Sequence, residues 1–276
     1  LLTFACIAPH GGVSIERLGS PAAARAAGTR RAMAELRAGA RAAAVDTWIV
    51  ISPHGVRVDG AMAVSDAEWA LATLEPEGEG GEAISLRLPL DRAIAQALAV
   101  RSAERGVPAA KVNYGASYGP HCTYPMDWGG AIPLWFLGAH EDGSRTVQVV
   151  PSRSLTWEDM VRFGEAVADV AEASERRVGL VASSDLAHAH DAAGPYGFDE
   201  AAAVYDRAVR DAVEAGDLMH LLAFDPHLVA AAKPDGQWQI LVLAGALARV
   251  PMRPRLLSYE VPTYFGMLTA VCEAAG

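Results

Sequence analysis

Cysteine is scarce in this chain, and basic residues never cluster. Cys6, Cys122 and Cys272 are far apart, odd in number and in no Cys-x-x-Cys pair, which argues against a disulfide framework or a zinc ribbon. Lys and Arg total 23 against 33 Asp and Glu, a formal charge of −10. Without a basic run, a nucleic-acid backbone or an anionic membrane is a poor partner, and a small molecule is the expected one. No stretch approaches the roughly eighteen consecutive apolar residues of a membrane span. The apolar N-terminal stretch carries neither a basic leader nor a cleavage site, so the chain reads as a soluble cytoplasmic protein. What is abundant is apolar residues, 51% of the total, with no Pro/Ser-rich linker; residues 1–276 therefore read as a single domain with a sizeable core.

The pattern along the chain alternates strand and helix. Residues 3–8 predict a strand, Ala22–Ala44 a helix and Thr47–Ile51 a second strand, a β-α-β unit of the kind that builds parallel sheets. Shorter alternating runs at 61–65 and 83–88 suggest further strands, separated by "EPEGEGGE", which reads as a mobile acidic loop. A helix over 90–106 ends at Gly106 before Pro108. Helices near 131–138, 156–174, 199–215 and 236–248 and strands at 146–150 and 178–182 continue the alternation; Tyr259–Val261 and Phe265–Cys272 suit either state. The expected fold class is α/β, a mostly parallel central sheet flanked by helices.

Three apolar strands end in the same way, in "IAPHGG", "ISPHGV" and "LVASSDLAH". Ligands of open parallel sheets bind outside the carboxyl ends of the strands, so His10, His54, Asp185 and His188 share one rim if their strands are neighbours. Two neutral imidazoles and a carboxylate on one face of a metal ion leave positions open, the arrangement of non-haem Fe(II) oxygenases and one that zinc or manganese also accepts. Asp185, Asp235 in "KPDGQWQILVLAGAL" and Glu260 in "SYEVPTYFG" are the candidates for the carboxylate, and position alone does not choose among them. Each has a plainer role. A lone strand-end histidine is commonly a hydrogen-bonded structural residue, Asp235 would cap the helix that follows it, and Glu260 suits a solvated strand. His140, His220 and His227 read as surface residues and His190 as the holder of a turn. "GPHCTYPMDWGGAIP" suits a pocket wall or an ordered loop equally.

Taken in order, "IAPHGG", "ISPHGV", "MDWGGAIPLWFLG", "LVASSDLAH" and "DGQWQILVLAGAL" resemble the LigB superfamily, the catalytic B subunits of class III extradiol ring-cleavage dioxygenases, together with the Memo-like proteins of the same fold. The resemblance implies that His10 and His54 are metal ligands, that His188 is the acid/base histidine and that Asp185 lines the site. It favours Asp235 as third ligand, with Glu260 as second choice. The chain departs from the family twice. Trp128 stands where a second catalytic histidine is usual, with His121 as a candidate replacement, and Asp235 is offset by one residue and shorter than the family's glutamate.

The activity implied is ring opening of a catechol or related phenol by O2. Fe(II) is the expected cofactor, Zn, Mn or Cu the alternatives, and Trp128, Tyr124 and Tyr118 the substrate contacts. A Memo-like metal-binding protein without dioxygenase turnover and a zinc hydrolase are the competing expectations. Homodimerisation or a small partner subunit is compatible with either.

Overall fold

A computed structural model describes residues 1–274. Twelve strands and seven α-helices run in the order β1 (Leu2–Ala8), α1 (Ala27–Ala42), β2 (Thr47–Ile51), β3 (Met62–Ser65), β4 (Trp69–Leu74), β5 (Ile84–Pro89), α2 (Arg92–Glu104), β6 (Ala109–Val112), β7 (Tyr114–Gly115), β8 (Cys122–Pro125), α3 (Trp128–Leu137), β9 (Arg145–Val150), α4 (Trp157–Ala173), β10 (Val178–Ser183), α5 (Ala201–Ala215), α6 (Pro226–Ala232), α7 (Gln237–Leu247), β11 (Met252–Glu260) and β12 (Met267–Ala274). The chain is α/β. Eight strands form one sheet in the order β11-β12-β1-β10-β2-β9-β3-β6, whose centre, β1-β10-β2-β9, is parallel throughout.

Strand alternation splits the core between the two faces of this sheet. On β2, Ile49 and Ile51 face the side covered by α2, α4, α5 and α7, while Trp48 and Val50 face α1 and α3. Both faces are dry, which is why TWIVI is apolar without interruption and entirely buried.

A second sheet, β5-β4-β8-β7, was not expected from the sequence. Its inner face adds Leu74, Leu86, Leu88 and Tyr124 to the core on the α1/α3 side. The two runs of undecided state are strands. Tyr259 and Glu260 close β11, and β12 pairs antiparallel with both β11 and β1. The acidic loop after β4 also differs from expectation. The Glu77 N–H donates to the Leu18 carbonyl at 2.7 Å and the Glu82 N–H to the Arg17 carbonyl at 2.8 Å, so the loop is docked on the short helical turns that follow β1.

The register places the site. Ala8 of β1 pairs with Ser183 of β10, and Ala182 pairs with Ile51 of β2. The three strands thus end level, and the turns that leave them open on one rim.

Candidate metal centre and active-site cavity

Each candidate side chain is fixed by local bonds. At the end of β1 the His10 N–H donates to Asp185 Oδ1 at 3.0 Å, joining the β1 and β10 turns directly. After β2, Ser52 Oγ accepts from the His54 N–H at 3.2 Å and donates to Asp127 Oδ1 at 2.9 Å. Asp127 also caps α3 through the Gly130 N–H at 3.1 Å and receives Gln148 Nε2, so the His54 turn is tied to the start of α3. Gly55 completes that turn at φ +101, a conformation that costs residues with a Cβ dearly. Beyond β10, the Leu186 and His188 N–H groups donate to Gly266 and Ala232 carbonyls, and buried Asp206 accepts the Ala187 N–H at 2.9 Å. Asp206 also binds His190 Nε2 and the Tyr259 hydroxyl, each at 2.7 Å; His190 holds this turn.

The structure brings His10, His54 and Asp235 together, with one potential ligand atom from each lying within 4.8 Å of the others. Asp235 Oδ2 is 3.1 Å from His10 Nε2, 3.4 Å from His54 Nε2 and 3.8 Å from His188 Nε2. Asp185 Oδ2 lies 3.5 Å from His10 Nε2. Asp235 does not cap α7, whose N-cap is Gly236. Its Oδ1 accepts the Asp185 N–H at 3.1 Å instead, leaving Oδ2 for the three imidazoles.

Hydrogen bonding fixes the protons on two of these rings. Ser183 Oγ donates to the Gly129 carbonyl, so toward His10 Nδ1, 3.0 Å away, it acts as acceptor. His188 Nδ1 lies 2.9 Å from the Leu186 carbonyl, which can only accept. Both rings therefore carry hydrogen on Nδ1 and, when neutral, aim an Nε2 lone pair at a carboxylate. Lone pair facing carboxylate is repulsive unless a proton or cation lies between them. Burial alone would lower the His10 pKa, but the negative charges of Asp185 and Asp235 raise it to about 9. Asp235 shows the converse. Burial opposes its charge, yet His10, His54 and His188 hold it below the usual carboxylate range. Burial and the adjoining Asp235 raise Asp185, against the lowering effect of His10 and His188. A site that attracts positive charge this strongly, with two imidazole nitrogens and a carboxylate oxygen as donors, fits a divalent metal ion.

The cluster forms the floor of a cavity of about 450 Å³. Trp128, 52% exposed, packs on His54 with ring centroids 4.3 Å apart and the rings tilted by 32°. On the other side, Phe265 stacks on His188 at 5.4 Å, with Tyr196 and Tyr264 beside it. Glu75 and Glu77 of the docked loop complete the mouth.

Residues 5–269 match the family described as the catalytic LigB subunit of aromatic ring-opening dioxygenase. The chain belongs to the LigB family. Protein CA_C1420 of Clostridium acetobutylicum is similar, at 20% identity over 252 residues, which are 91% of this chain and 53% of that protein. This LigB chain thus spans about half the length of the curated relative it matches. The fold is shared with an uncharacterized protein of Escherichia coli K12, JW3007, at a TM-score of 0.61 and 15% identity, covering 98% of this chain and all of the other.

Four sequence candidates of this LigB protein lie away from the cavity. Glu260 accepts the N–H groups of Gly28 and Thr29 and the Thr29 hydroxyl, each at 2.8 Å; it secures the first turn of α1 and is not among the grouped ligand candidates His10, His54 and Asp235. Tyr124 is fully buried on β8 and faces the core rather than a substrate. Tyr118 is 75% exposed, with Arg92 over its ring at 5.0 Å. His121 is exposed in the turn before β8 and does not take the position that Trp128 occupies. Sequence reasoning missed Tyr196, Tyr264, Phe265, Glu75, Glu77 and Ser183; Ser183 lies in "LVASSDLAH", Tyr264 and Phe265 in "SYEVPTYFG" and the two glutamates in "EPEGEGGE", but nothing in those stretches singles them out.

Proposed function

We propose that this LigB protein is a metal-dependent extradiol ring-cleaving dioxygenase, with non-haem Fe(II) as the metal and a catechol or related phenol as substrate. The observation that carries the reading is the convergence of His10 Nε2, His54 Nε2 and Asp235 Oδ2 beneath an aromatic-walled cavity, with His188 Nε2 facing the same point. His10, His54 and Asp235 would hold the ion. When bound, it supplies Lewis acidity and a route for electrons between a chelated diol and O2.

The protein's own groups do the rest. His188 has its Nδ1 hydrogen committed to Leu186 and its Nε2 free, so it takes a proton from a catechol hydroxyl and later returns it. Among the described residues, it is the one cavity-lining imidazole outside the ligand pair, so acid and base steps fall to a single ring. Trp128 and Phe265 offer flat walls against which an aromatic ring stacks.

The test is metal analysis of protein purified without O2, beside His10→Ala, Asp235→Ala and His188→Ala, with O2 uptake recorded on a catechol panel. Stoichiometric iron lost in the first two variants and retained in His188→Ala, with uptake only in the unmodified protein, is the expected result. A second reading, a Memo-like metal-binding protein without turnover, is favoured by Trp128 at the second histidine's position and by buried Asp185 beside His10. Bound metal with no uptake on any catechol would select it.

A further inference from the structure

We infer that the cavity selects catechols whose side chain carries an ammonium group and discriminates against those bearing a carboxylate, with Glu77 as the specificity-determining residue. The inference rests on the proposed catechol chemistry and adds the substrate's charge. Among the described residues, the cavity lining contains no Lys or Arg, while Glu75 and Glu77 stand at its mouth in addition to Asp185 and Asp235 on its floor. The floor carboxylates have partners in the histidines and in the proposed metal ion. Glu75 and Glu77 form no ion pair among the described residues, although many surface carboxylates of this chain do. Their charge is therefore available to a ligand.

Glu77 is also held in place. Its N–H donates to Leu18, and its carboxylate lies against Gly12, where a Cβ would meet Oε1 at 1.9 Å. The neighbouring glycines make the docking possible, since a Cβ at Gly78 would stand 2.2 Å from the Gly19 carbonyl oxygen. The charge reaches the aromatic wall. Burial raises the Tyr264 pKa, and Glu77 adds to the rise along with Tyr196, Asp185 and Asp235. An ammonium placed between the Glu77 carboxylate and the Tyr264 ring gains a charge pair and a cation–π contact together, whereas a carboxylate there meets like charge with no Lys or Arg in the lining to receive it.

The experiment is anaerobic calorimetry on the Fe(II)-loaded protein with three probes of similar size, dopamine, 4-methylcatechol and 3,4-dihydroxyphenylacetate, followed by O2 uptake on the same three. Dopamine is expected to bind more tightly than 4-methylcatechol and the carboxylate probe most weakly. The dopamine-to-carboxylate affinity ratio is expected to fall about tenfold in Glu77→Gln and further in the double variant Glu75→Gln/Glu77→Gln. Gly78→Ala, which undocks the loop while keeping both charges, should lower the ratio as well. Equal or tighter binding of the carboxylate probe, or a ratio unchanged in Glu77→Gln, overturns the inference even if all three rings are cleaved. The expected affinity order without ring cleavage refutes the dioxygenase reading and leaves the charge selection standing. No binding by any probe removes both.

Discussion

Ser183→Ala isolates the contribution of a residue that never touches the proposed metal ion. Ser183 Oγ accepts from His10 Nδ1 at 3.0 Å and donates to the Gly129 carbonyl, so it fixes the tautomer that leaves His10 Nε2 as a ligand. Loss of such an orienting partner lowers metal affinity by about 10- to 100-fold, or about 1.4–2.7 kcal/mol. The metal-free protein should also lose about 1–3 kcal/mol of stability, because the buried Gly129 carbonyl and His10 Nδ1 are left unpaired. The assay is a chelator-competition titration with Zn(II), which introduces no redox chemistry, alongside thermal melts. Ser184→Ala is the control. Ser184 is equally buried, one residue on, and its hydroxyl has no hydrogen-bond partner, so its removal should leave affinity within about twofold of the original, the range of a substitution that breaks no named interaction. Unchanged affinity in Ser183→Ala, or an equal loss in Ser184→Ala, would refute the claim that the tautomer is set here.

Other expectations follow from the same geometry. His188→Ala should keep its metal and lose about 10²- to 10⁴-fold in kcat, measured by single-turnover ring cleavage. Asp206→Asn replaces one acceptor oxygen of a buried carboxylate that serves three donors; unfolding by urea should show about 2–4 kcal/mol of lost stability, and native-state hydrogen exchange should place the loosening in the 184–190 turn. Glu260 gives a pH signature. Partial burial would raise its pKa, but the bonds from Thr29 and Gly28 bring it below its ordinary 4.5. Its stabilising effect is therefore full above 4.5 and is lost as pH falls through the lower folded value. Urea midpoints followed into acid should decline less steeply for Glu260→Gln, and an unaltered slope would contradict the capping role.

What the sequence disclosed depended on how local the signal was. His10, His54, Asp185 and His188 were legible because each follows an apolar run that can only be a buried strand, and parallel topology brings such ends together. Tyr196, Tyr264, Phe265 and Glu77 reach the cavity from loops whose paths depend on distant packing; the motif that holds Tyr264 and Phe265 drew attention to Glu260 instead. Tyr124 and Tyr118 show the opposite error. Aromatic residues in a Gly/Pro-rich stretch suggested a pocket wall, but pairing of β8 with β4 turns Tyr124 inward, and Tyr118 packs on an arginine. The second sheet was missed because two of its strands are very short, β7 having two residues and β8 four, too few for a periodicity to register. Asp235 is the third ligand that the family resemblance favours, with a helix cap as its plainer role; three imidazoles and the Asp185 N–H, rather than the terminus of α7, take its oxygens.

The strand order bears on how such a centre comes into being. His10 and His54 follow β1 and β2, which lie close together in sequence, yet those strands are not neighbours in space; β10, more than a hundred residues later, is inserted between them. The donors supplied by the first quarter of the chain stay apart until that late strand arrives, bringing Ser183 and Asp185 with it, and Asp235 comes later still. A nascent chain emerging from the ribosome would carry both histidines without a functional ion site. Occupancy of the proposed site is thereby coupled to closure of a non-local part of the sheet, and a bound ion would report that β10 and the turns after it are in place.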